Sequence, residues 1–233
     1  MKKHAMIPVL PSLLALGGCG VLQDAGPQTT QQHTIGAVTA VKLLTSGDLR
    51  ITTGDSPTLS ITAGANQLDD LTSVVDNGTL ILDSNAGMTG GGDISYALVV
   101  PAISQLELGG SGDATGTGVV DGDFGLIVSG SGAANLTGLD VPSVAVNLSG
   151  SGDATLGGQA DAQEVDLSGS GGYDGSGLTT GQTGVQVTGS GDAQVNVSGR
   201  LSATISGSGD ISYTGSPTEV EKSVTGSGSV SGS

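Results

Sequence analysis

The sequence is poor in the residues from which most catalytic, metal and nucleic-acid sites are built. Its 233 residues include one Cys, two His, three Tyr, one Phe and no Trp. A single Cys excludes an intramolecular disulfide and a Cys-rich zinc site. His33 is the only His beyond His4, which excludes a His-based catalytic triad and a multi-histidine metal site. We therefore expect no cofactor and no enzymatic activity.

Positive charge is also scarce. Six Lys and Arg residues face 22 Asp and Glu residues, and the formal net charge is -16. A nucleic-acid-binding protein needs a basic stripe to meet phosphates, so nucleic acid is not expected as a partner. Beyond residue 18 the basic residues are Lys42, Arg50, Arg200 and Lys222. A body this acidic is repelled by anionic lipid surfaces, so we expect it to stand away from a membrane that anchors it.

The amino-terminal segment has the order of a targeting signal. Basic residues 1–4 precede a short apolar stretch, residues 5–16, and small residues follow. This order is typical of a secretory signal peptide, and the apolar stretch is too short to span a bilayer. Leu16-Gly17-Gly18-Cys19 resembles the lipobox of bacterial lipoproteins, in which the Cys becomes the lipidated first residue. The alternative is a plain signal peptide that happens to contain a Cys.

The lipobox resemblance divides the start of the chain. Residues 1–18 are predicted to be a lipoprotein signal peptide, and Cys19 is the predicted lipidation site. Gly20 follows the Cys where Asp often signals inner-membrane retention, so the resemblance implies an outer-membrane lipoprotein. Residues 19–33 are polar and lack periodicity, which predicts a flexible tether.

The rest of the chain is dominated by a repeat of about 20 residues. A Gly/Ser tetrad recurs at steps of 18 to 20 residues, and apolar residues stand three and one positions before six of its seven copies. Such period-two alternation into a turn predicts short strands separated by Gly-rich corners. The tetrads begin at Gly109, Ser129, Ser149, Ser168, Thr188, Ser206 and Thr225.

Near-equal repeat lengths favour a solenoid, because each coil must lie on the last one, whereas an array of antiparallel hairpins tolerates unequal lengths. We predict an all-β fold, a right-handed parallel β-helix or β-solenoid of about 20-residue coils. Gly and Pro make up 50 of 233 residues, below the roughly 25–30% that marks a disordered low-complexity chain. Residues 101–233 are assigned to the Gly/Ser-rich repeats.

Residues 34–100 repeat less cleanly, and we predict an N-terminal β part of the same domain that caps the stack. Strand-like runs occupy residues 48–52, 58–62, 79–82 and 97–100, and Asp76-Asn77-Gly78-Thr79 supplies a turn. At the other end, Lys222 replaces the apolar residue three positions before the seventh tetrad. Charge on a terminal strand discourages edge-to-edge association.

These motifs resemble one bacterial envelope family. The run Leu106-Glu107-Leu108-Gly109-Gly110-Ser111-Gly112-Asp113 returns in shortened form at residues 148–153 and 205–210. Upstream stand Gly54-Asp55, Asp76-Asn77-Gly78-Thr79-Leu80 and Val100-Pro101, in that order. The pattern resembles the auto-transporter adhesin head domain, called the head GIN domain. The resemblance implies a β-helical fold and an exported, often lipid-anchored protein, and it supplies no catalytic residues.

The corners carry the candidate site residues. One serine from each tetrad should form a ladder, and an Asp follows four of the tetrads. Only Asp192 and Asp210 are neighbours among those carboxylates, so they could form a weak Ca²⁺ site; the alternative is that each Asp binds turn amides. The predicted ladder consists of Ser111, Ser131, Ser151, Ser170, Ser190, Ser208 and Ser227.

Together these features predict a non-enzymatic, lipid-anchored cell-envelope protein whose ladders bind a glycan or an envelope protein. A structural or spacer lipoprotein without a specific ligand is the first alternative. A β-helical polysaccharide-acting enzyme is the second, with Arg200 placed near Asp192 and Asp210 as a base or charge stabiliser.

Overall fold

Strands account for nearly all regular structure in the computed structural model, which describes residues 25–85 and 93–233. The described residues contain seventeen β-strands and one turn of 3₁₀ helix, Leu68–Asp70. In chain order the strands are β1 Gln28–Thr34, β2 Ala40–Leu43, β3 Asp48–Thr53, β4 Thr58–Gly64, β5 Leu71–Asp76, β6 Thr79–Ser84, β7 Ser95–Val100, β8 Ile103–Leu108, β9 Ala114–Thr117, β10 Val120–Val128, β11 Ala134–Leu148, β12 Ala154–Leu167, β13 Tyr173–Val187, β14 Ala193–Ile205, β15 Ile211–Gly215, β16 Glu219–Val224 and β17 Val230–Gly232.

The repeats wind as a solenoid, as predicted. Strands β10 to β14 pair in parallel with their sequence neighbours. The register follows the repeat, so that Leu148 lies beside Leu167 and Ala134 beside Ala154. Parallel pairing between consecutive repeats excludes the array of antiparallel hairpins. The right-handed sense of the winding stays a prediction.

The seven Gly/Ser corners stack in a single column. The backbone N–H of Ser131 donates to the carbonyl of Gly110 at 3.0 Å, and that of Ser151 donates to Gly130 at 3.1 Å. The same bond recurs up to Ser227, whose N–H donates to Gly207. Glycine is required at these corners because the coils approach too closely for a side chain: a Cβ on Gly130 would lie 1.8 Å from the carbonyl oxygen of Gly110.

The inside–outside alternation of β11 is interrupted at two places. In β11, buried and exposed residues alternate except at Thr137–Gly138 and Pro142–Ser143, where two successive residues lack a buried side chain. Gly138 has φ +69, which suits glycine. These two interruptions and the Gly/Ser corner divide the alternation along this coil into three stretches. The inward residues stack as aliphatic ladders, one of which runs through Leu108, Val128, Leu148, Leu167, Val187 and Ile205.

The N-terminal part contributes a coil to the stack out of chain order. Strands β2 and β3 pair in parallel with β8 and β9, with Leu43 beside Leu108 and Leu49 beside Ala114. On their other side they pair in parallel with β6 and β7. The β2–β3 coil therefore lies between two coils that follow it in the chain. Its turn, residues 44–47, stacks beneath the first tetrad as an eighth corner, because the Gly112 N–H donates to the carbonyl of Thr45.

Antiparallel strands form the cap. Strand β4 pairs with β7, β5 pairs with β6, and β1 pairs with β4. The β5–β6 connection is the predicted turn, in which Asn77 and Gly78 both have positive φ, as a type I′ hairpin requires.

The predicted flexible tether is wrong for its last residues, because Gln28–Thr34 forms strand β1. The three Thr residues of this segment favour extended backbone, and the open edge of β4 supplies the carbonyl and amide partners from Gln28–Gly64 to Thr34–Thr58. Residues 1–24, with the predicted signal peptide and Cys19, lie outside the described residues. No helix among the described residues has both the length and the hydropathy needed to cross a bilayer.

Lys222 covers the carboxyl end of the stack. It stands beside Ala203 in the register, at a position that is buried in the earlier coils. Its Nζ lies 5.0 Å from the centre of the Tyr213 ring and donates a hydrogen bond to the carbonyl of Val230 at 3.2 Å. The ammonium group is therefore held against the last coil by an aromatic ring and a backbone carbonyl.

Candidate functional site

The corner serines form an exposed column on one edge of the solenoid. From Ser131 onward, their N–H groups donate to the preceding coil, whereas none of the seven hydroxyl groups has a hydrogen-bond partner within the described ranges. We call this set the corner column. It consists of Ser111, Ser131, Ser151, Ser170, Ser190, Ser208 and Ser227, all of which are exposed.

The Asp residues that follow the corners bind backbone amides of the next coil. Asp113 Oδ1 accepts a hydrogen bond from the N–H of Ala133 at 2.7 Å, and Asp153 Oδ1 accepts one from Gly172 at 2.7 Å. Asp210 Oδ1 accepts one from the N–H of Ser229 at 2.7 Å. Each carboxylate satisfies an amide that would otherwise depend on water. These contacts correspond to the alternative in which each Asp binds backbone amides of a turn.

Asp192 and Asp210 are adjacent, as the spacing suggested. Asp192 Oδ1 accepts the N–H of Asp210 at 2.8 Å, so one oxygen of each carboxylate is already engaged. In residues 25–85 and 93–233 no group of three or more His, Cys, Asp or Glu side chains converges, and Ca²⁺ needs six to eight oxygens. The Ca²⁺ site stays a prediction. Asp48 Oδ1 accepts the N–H of Asp113, so Asp48 extends the set of Asp residues that bind amides of a neighbouring coil. It was missed because its corner is not a Gly/Ser tetrad.

Arg200 forms ion pairs with two glutamates of the last coil. Its guanidinium lies 3.5 Å from a carboxylate oxygen of Glu219 and 3.2 Å from one of Glu221. Both partners belong to β16, the strand paired with β14 in the next coil. Within the described residues, the ion pairs of Arg200 are therefore with glutamates of the last coil and not with Asp192 or Asp210.

A second polar surface, which sequence reasoning missed, runs along the segment that follows the corners. Its residues are neighbours across successive strands, point outward, and are exposed or half-buried. We call this set the outer row. In spatial order it is Gln32, Ser60, Ala97, Arg50, Thr115, Asn135, Thr155, Asp174, Gln194, Ser212 and Ser231.

The outer row is long and almost entirely polar. With strands about 4.8 Å apart, its ten steps span roughly 48 Å. Ala97 is its only apolar residue and Arg50 its only cation. The signal was present in the sequence, because the sixth residue after the start of every tetrad is polar, from Thr115 to Ser231.

The interior holds a polar cluster where β12 meets β13. The Gln163 amide nitrogen donates to the hydroxyl of Tyr173, and the hydroxyls of Thr180 and Thr183 bond each other. All four residues are buried. Gln163 Oε1 is buried without a partner. Burial raises the pKa of the Tyr173 hydroxyl, so it stays neutral. This cluster is closed to solvent and serves packing.

A profile of the family described as "putative auto-transporter adhesin, head GIN domain" matches residues 37–217. The crystal structure of a putative adhesin from Bacteroides fragilis matches with a TM-score of 0.86 and 20% identity, over 90% of this chain and 99% of that one. A putative lipid binding protein from Parabacteroides distasonis matches with a TM-score of 0.71 and 23% identity, over 90% and 98%. No curated protein matches the chain.

At these identities the structural matches show the fold alone. The family profile covers most of the chain and spans both the N-terminal part and the repeats. The family is adhesin-like and indicates an envelope or surface-exposed protein, and the family and the B. fragilis neighbour are described as adhesins and not as enzymes. The chain belongs to the auto-transporter adhesin head GIN domain family.

Proposed function

We propose that this protein is an exported, lipid-anchored envelope protein that binds an extended glycan along the outer row. The observation that carries the proposal is the unbroken succession of outward polar side chains from Arg50 to Ser231, one on each successive strand. A repeating ligand matches a repeating surface, because each unit can meet an equivalent group. The corner column lies at the edge of the same segment and adds hydroxyls.

The chemistry of the row suits sugar hydroxyls. Asn135 and Gln194 carry both donors and acceptors, Thr155 and Ser212 carry hydroxyls, and Asp174 accepts. Sugar hydroxyls are themselves donors and acceptors, so they can bond any of these groups. The row lacks the aromatic platform of many sugar sites. We therefore expect weak binding per unit that accumulates along the chain of the ligand.

Removing three side chains of the outer row should weaken glycan binding. In the variant Asn135→Ala, Thr155→Ala, Gln194→Ala, the loss of about 1 kcal/mol per hydrogen bond predicts an affinity about a hundredfold lower. The measurement is binding of the soluble body to a panel of bacterial and host polysaccharides, followed by titration of each positive ligand.

The matched control changes outward residues on another side of the coil. Asn147→Ala, Gln186→Ala alters two exposed side chains of the segment that precedes the corners and should leave binding unchanged. Absence of binding to the whole panel by folded protein would favour a spacer lipoprotein without a ligand. Equal losses in both variants would place the site elsewhere.

The anchor is tested at Cys19. Wild-type protein expressed in bacteria should incorporate labelled palmitate and sediment with membranes, whereas Cys19→Ala should remain unlabelled. The physical reason is that Cys19 is the only thiol in the chain and that stable anchoring requires more than one acyl chain. Equal labelling of the two proteins would contradict the lipoprotein assignment, and fractionation of the labelled protein tests the outer membrane.

A further inference from the structure

Among the Lys and Arg residues of the described ranges, Arg50 is the one whose side chain the fold does not use. Lys42 Nζ lies 2.6 Å from Glu107 Oε2, and Arg200 forms ion pairs with two glutamates. Lys222 contacts the Tyr213 ring and a backbone carbonyl. Of the four Lys and Arg residues in the described ranges, Arg50 alone makes no ion pair, side-chain hydrogen bond or ring contact. In a chain of net charge -16, an unpaired cation needs an explanation.

Arg50 lies between two cavities on the outward face of the N-terminal coils. The first has a volume of about 380 Å³ and the second about 410 Å³. Both are lined by Arg50 and Thr115, which are neighbours in the outer row. The cap strand β4 contributes Ser60 and Thr62 to the first cavity. These volumes fall within the range of roughly 300–1,000 Å³ of small-ligand sites.

The two cavities differ in charge. Asp48 and Asp113 line the first cavity together with hydroxyl groups, so this side offers acceptors. Arg50 and four threonines, Thr52, Thr53, Thr115 and Thr117, line the second, which contains no carboxylate.

The hydroxyls of the second cavity are not equally available. Those of Thr52 and Thr53 already donate to backbone carbonyls, and that of Thr117 is paired with Thr137. Within the described residues, the hydroxyl of Thr115 has no hydrogen-bond partner. Arg50 and Thr115 are thus the available donors of the second cavity.

We infer that Arg50 and Thr115 bind the carboxylate of an acidic sugar unit, and that the hydroxyls of the same unit donate to Asp48 and Asp113. This inference rests on the proposed glycan-binding function and names the class of ligand. A guanidinium binds a carboxylate through two parallel hydrogen bonds, a geometry that lysine does not reproduce. The rest of the outer row then binds the neutral units of the same glycan.

The charge of the protein also restricts the ligand. Arg50 is the single cation of the outer row, and Asp174 lies farther along it. A polymer with a carboxylate on every unit would place anions beside Asp174 and be repelled, although salt screens charges beyond about 8 Å. The best ligand therefore carries an isolated acidic sugar on a neutral chain.

The test uses two probes: an oligoglucoside that carries one terminal glucuronic acid, and the same compound with its carboxyl group methyl-esterified. The parent should bind the acid more tightly than the ester. Arg50→Gln should weaken binding of the acid by about tenfold to a hundredfold and leave the ester unchanged. The affinity of Arg50→Lys for the acid should lie between those of the parent and of Arg50→Gln. Added salt should weaken binding of the acid and not of the ester.

Arg200→Gln is the matched control, because it removes an exposed arginine from another side of the coil. It should not change binding of either probe, and circular dichroism should show every variant folded. Equal binding of acid and ester by the parent, or no effect of Arg50→Gln, overturns the inference while the glycan-binding function stands. If neither probe binds the parent, the inference also fails, and the polysaccharide panel decides separately on the proposed function.

Discussion

Replacing Gly130 with alanine is expected to lower the free energy of unfolding by about 3 kcal/mol or more, the upper range for overpacking. The new Cβ would lie 1.8 Å from the carbonyl oxygen of Gly110 and 2.8 Å from that of Gly109. Both atoms belong to backbone of the preceding coil, so no side chain can move aside. The coils would have to separate, which weakens the bond from Ser131 to Gly110. Urea denaturation followed by circular dichroism measures the loss.

The control for this prediction lies in the same coil. A Cβ on Gly125 would meet only Gln105 Cγ, at 3.8 Å, which is an ordinary contact. Gly125→Ala should therefore change the free energy of unfolding by about 0.5 kcal/mol or less, with a slight gain possible from reduced freedom of the unfolded chain. If the two substitutions had similar effects, close approach at the corner could not be the reason for its glycines.

The same close approach explains why the fold was readable from the sequence. A residue type that is required at every coil leaves a periodic mark, and so do the apolar residues that precede each corner. Leu148 and Leu167, for example, each precede a tetrad by one residue and lie side by side in β11 and β12. Period therefore predicts register wherever each coil stacks on its predecessor.

Spacing fails where the chain departs from that order. The β2–β3 coil stacks on β8–β9, which lies 65 residues later at Leu43 and Leu108, so no local period reveals it. Its corner is also disguised, because Leu44 and Thr45 stand where the later corners have Ser and Gly. Strand β1 was missed for a related reason. Its pairing with β4 depends on the open edge of that strand, and no hydrophobic pattern in β1 indicates it.

The candidate site was harder to predict than the fold. Packing restricts the inward positions, so Ala, Leu or Val recurs there in the sequence. Outward positions tolerate any polar residue, so Thr115, Asn135 and Gln194 share a place without sharing a residue type. The isolation of Arg50 depends on which carboxylates the other cations reach, and the sequence does not specify those distances.

Tyr173 departs from the repeat in a way that predicts a large effect. It stands in the register between Ala154 and Ala193, and a Cβ on Gly175 would lie 2.6 Å from its hydroxyl. At the positions that correspond to 173 and 175, the neighbouring coils have a small residue followed by a larger one, as in Ala154 and Leu156. This coil has the reverse order, so the tyrosine ring fills the space that a leucine two residues later would fill.

Tyr173→Ala should therefore cost about 3–5 kcal/mol, the range for removing a large buried aromatic side chain. It leaves a cavity over Gly175 and removes the hydrogen-bond partner of the buried Gln163 amide. Adding Gly175→Leu should recover part of the loss by restoring the order of the neighbouring coils. Adding Gln163→Val, the residue type of the equivalent Val144, should recover most of the rest, because no buried amide is then left unpaired.

Denaturation of the single, double and triple variants measures these steps. A double variant no more stable than Tyr173→Ala would contradict the exchange of volume between positions 173 and 175. A triple variant no more stable than the double would show instead that water satisfies Gln163. Recovery at both steps would mean that a coil of this solenoid is specified by its total interior volume and by paired polar groups, and not by one residue type at each ladder position.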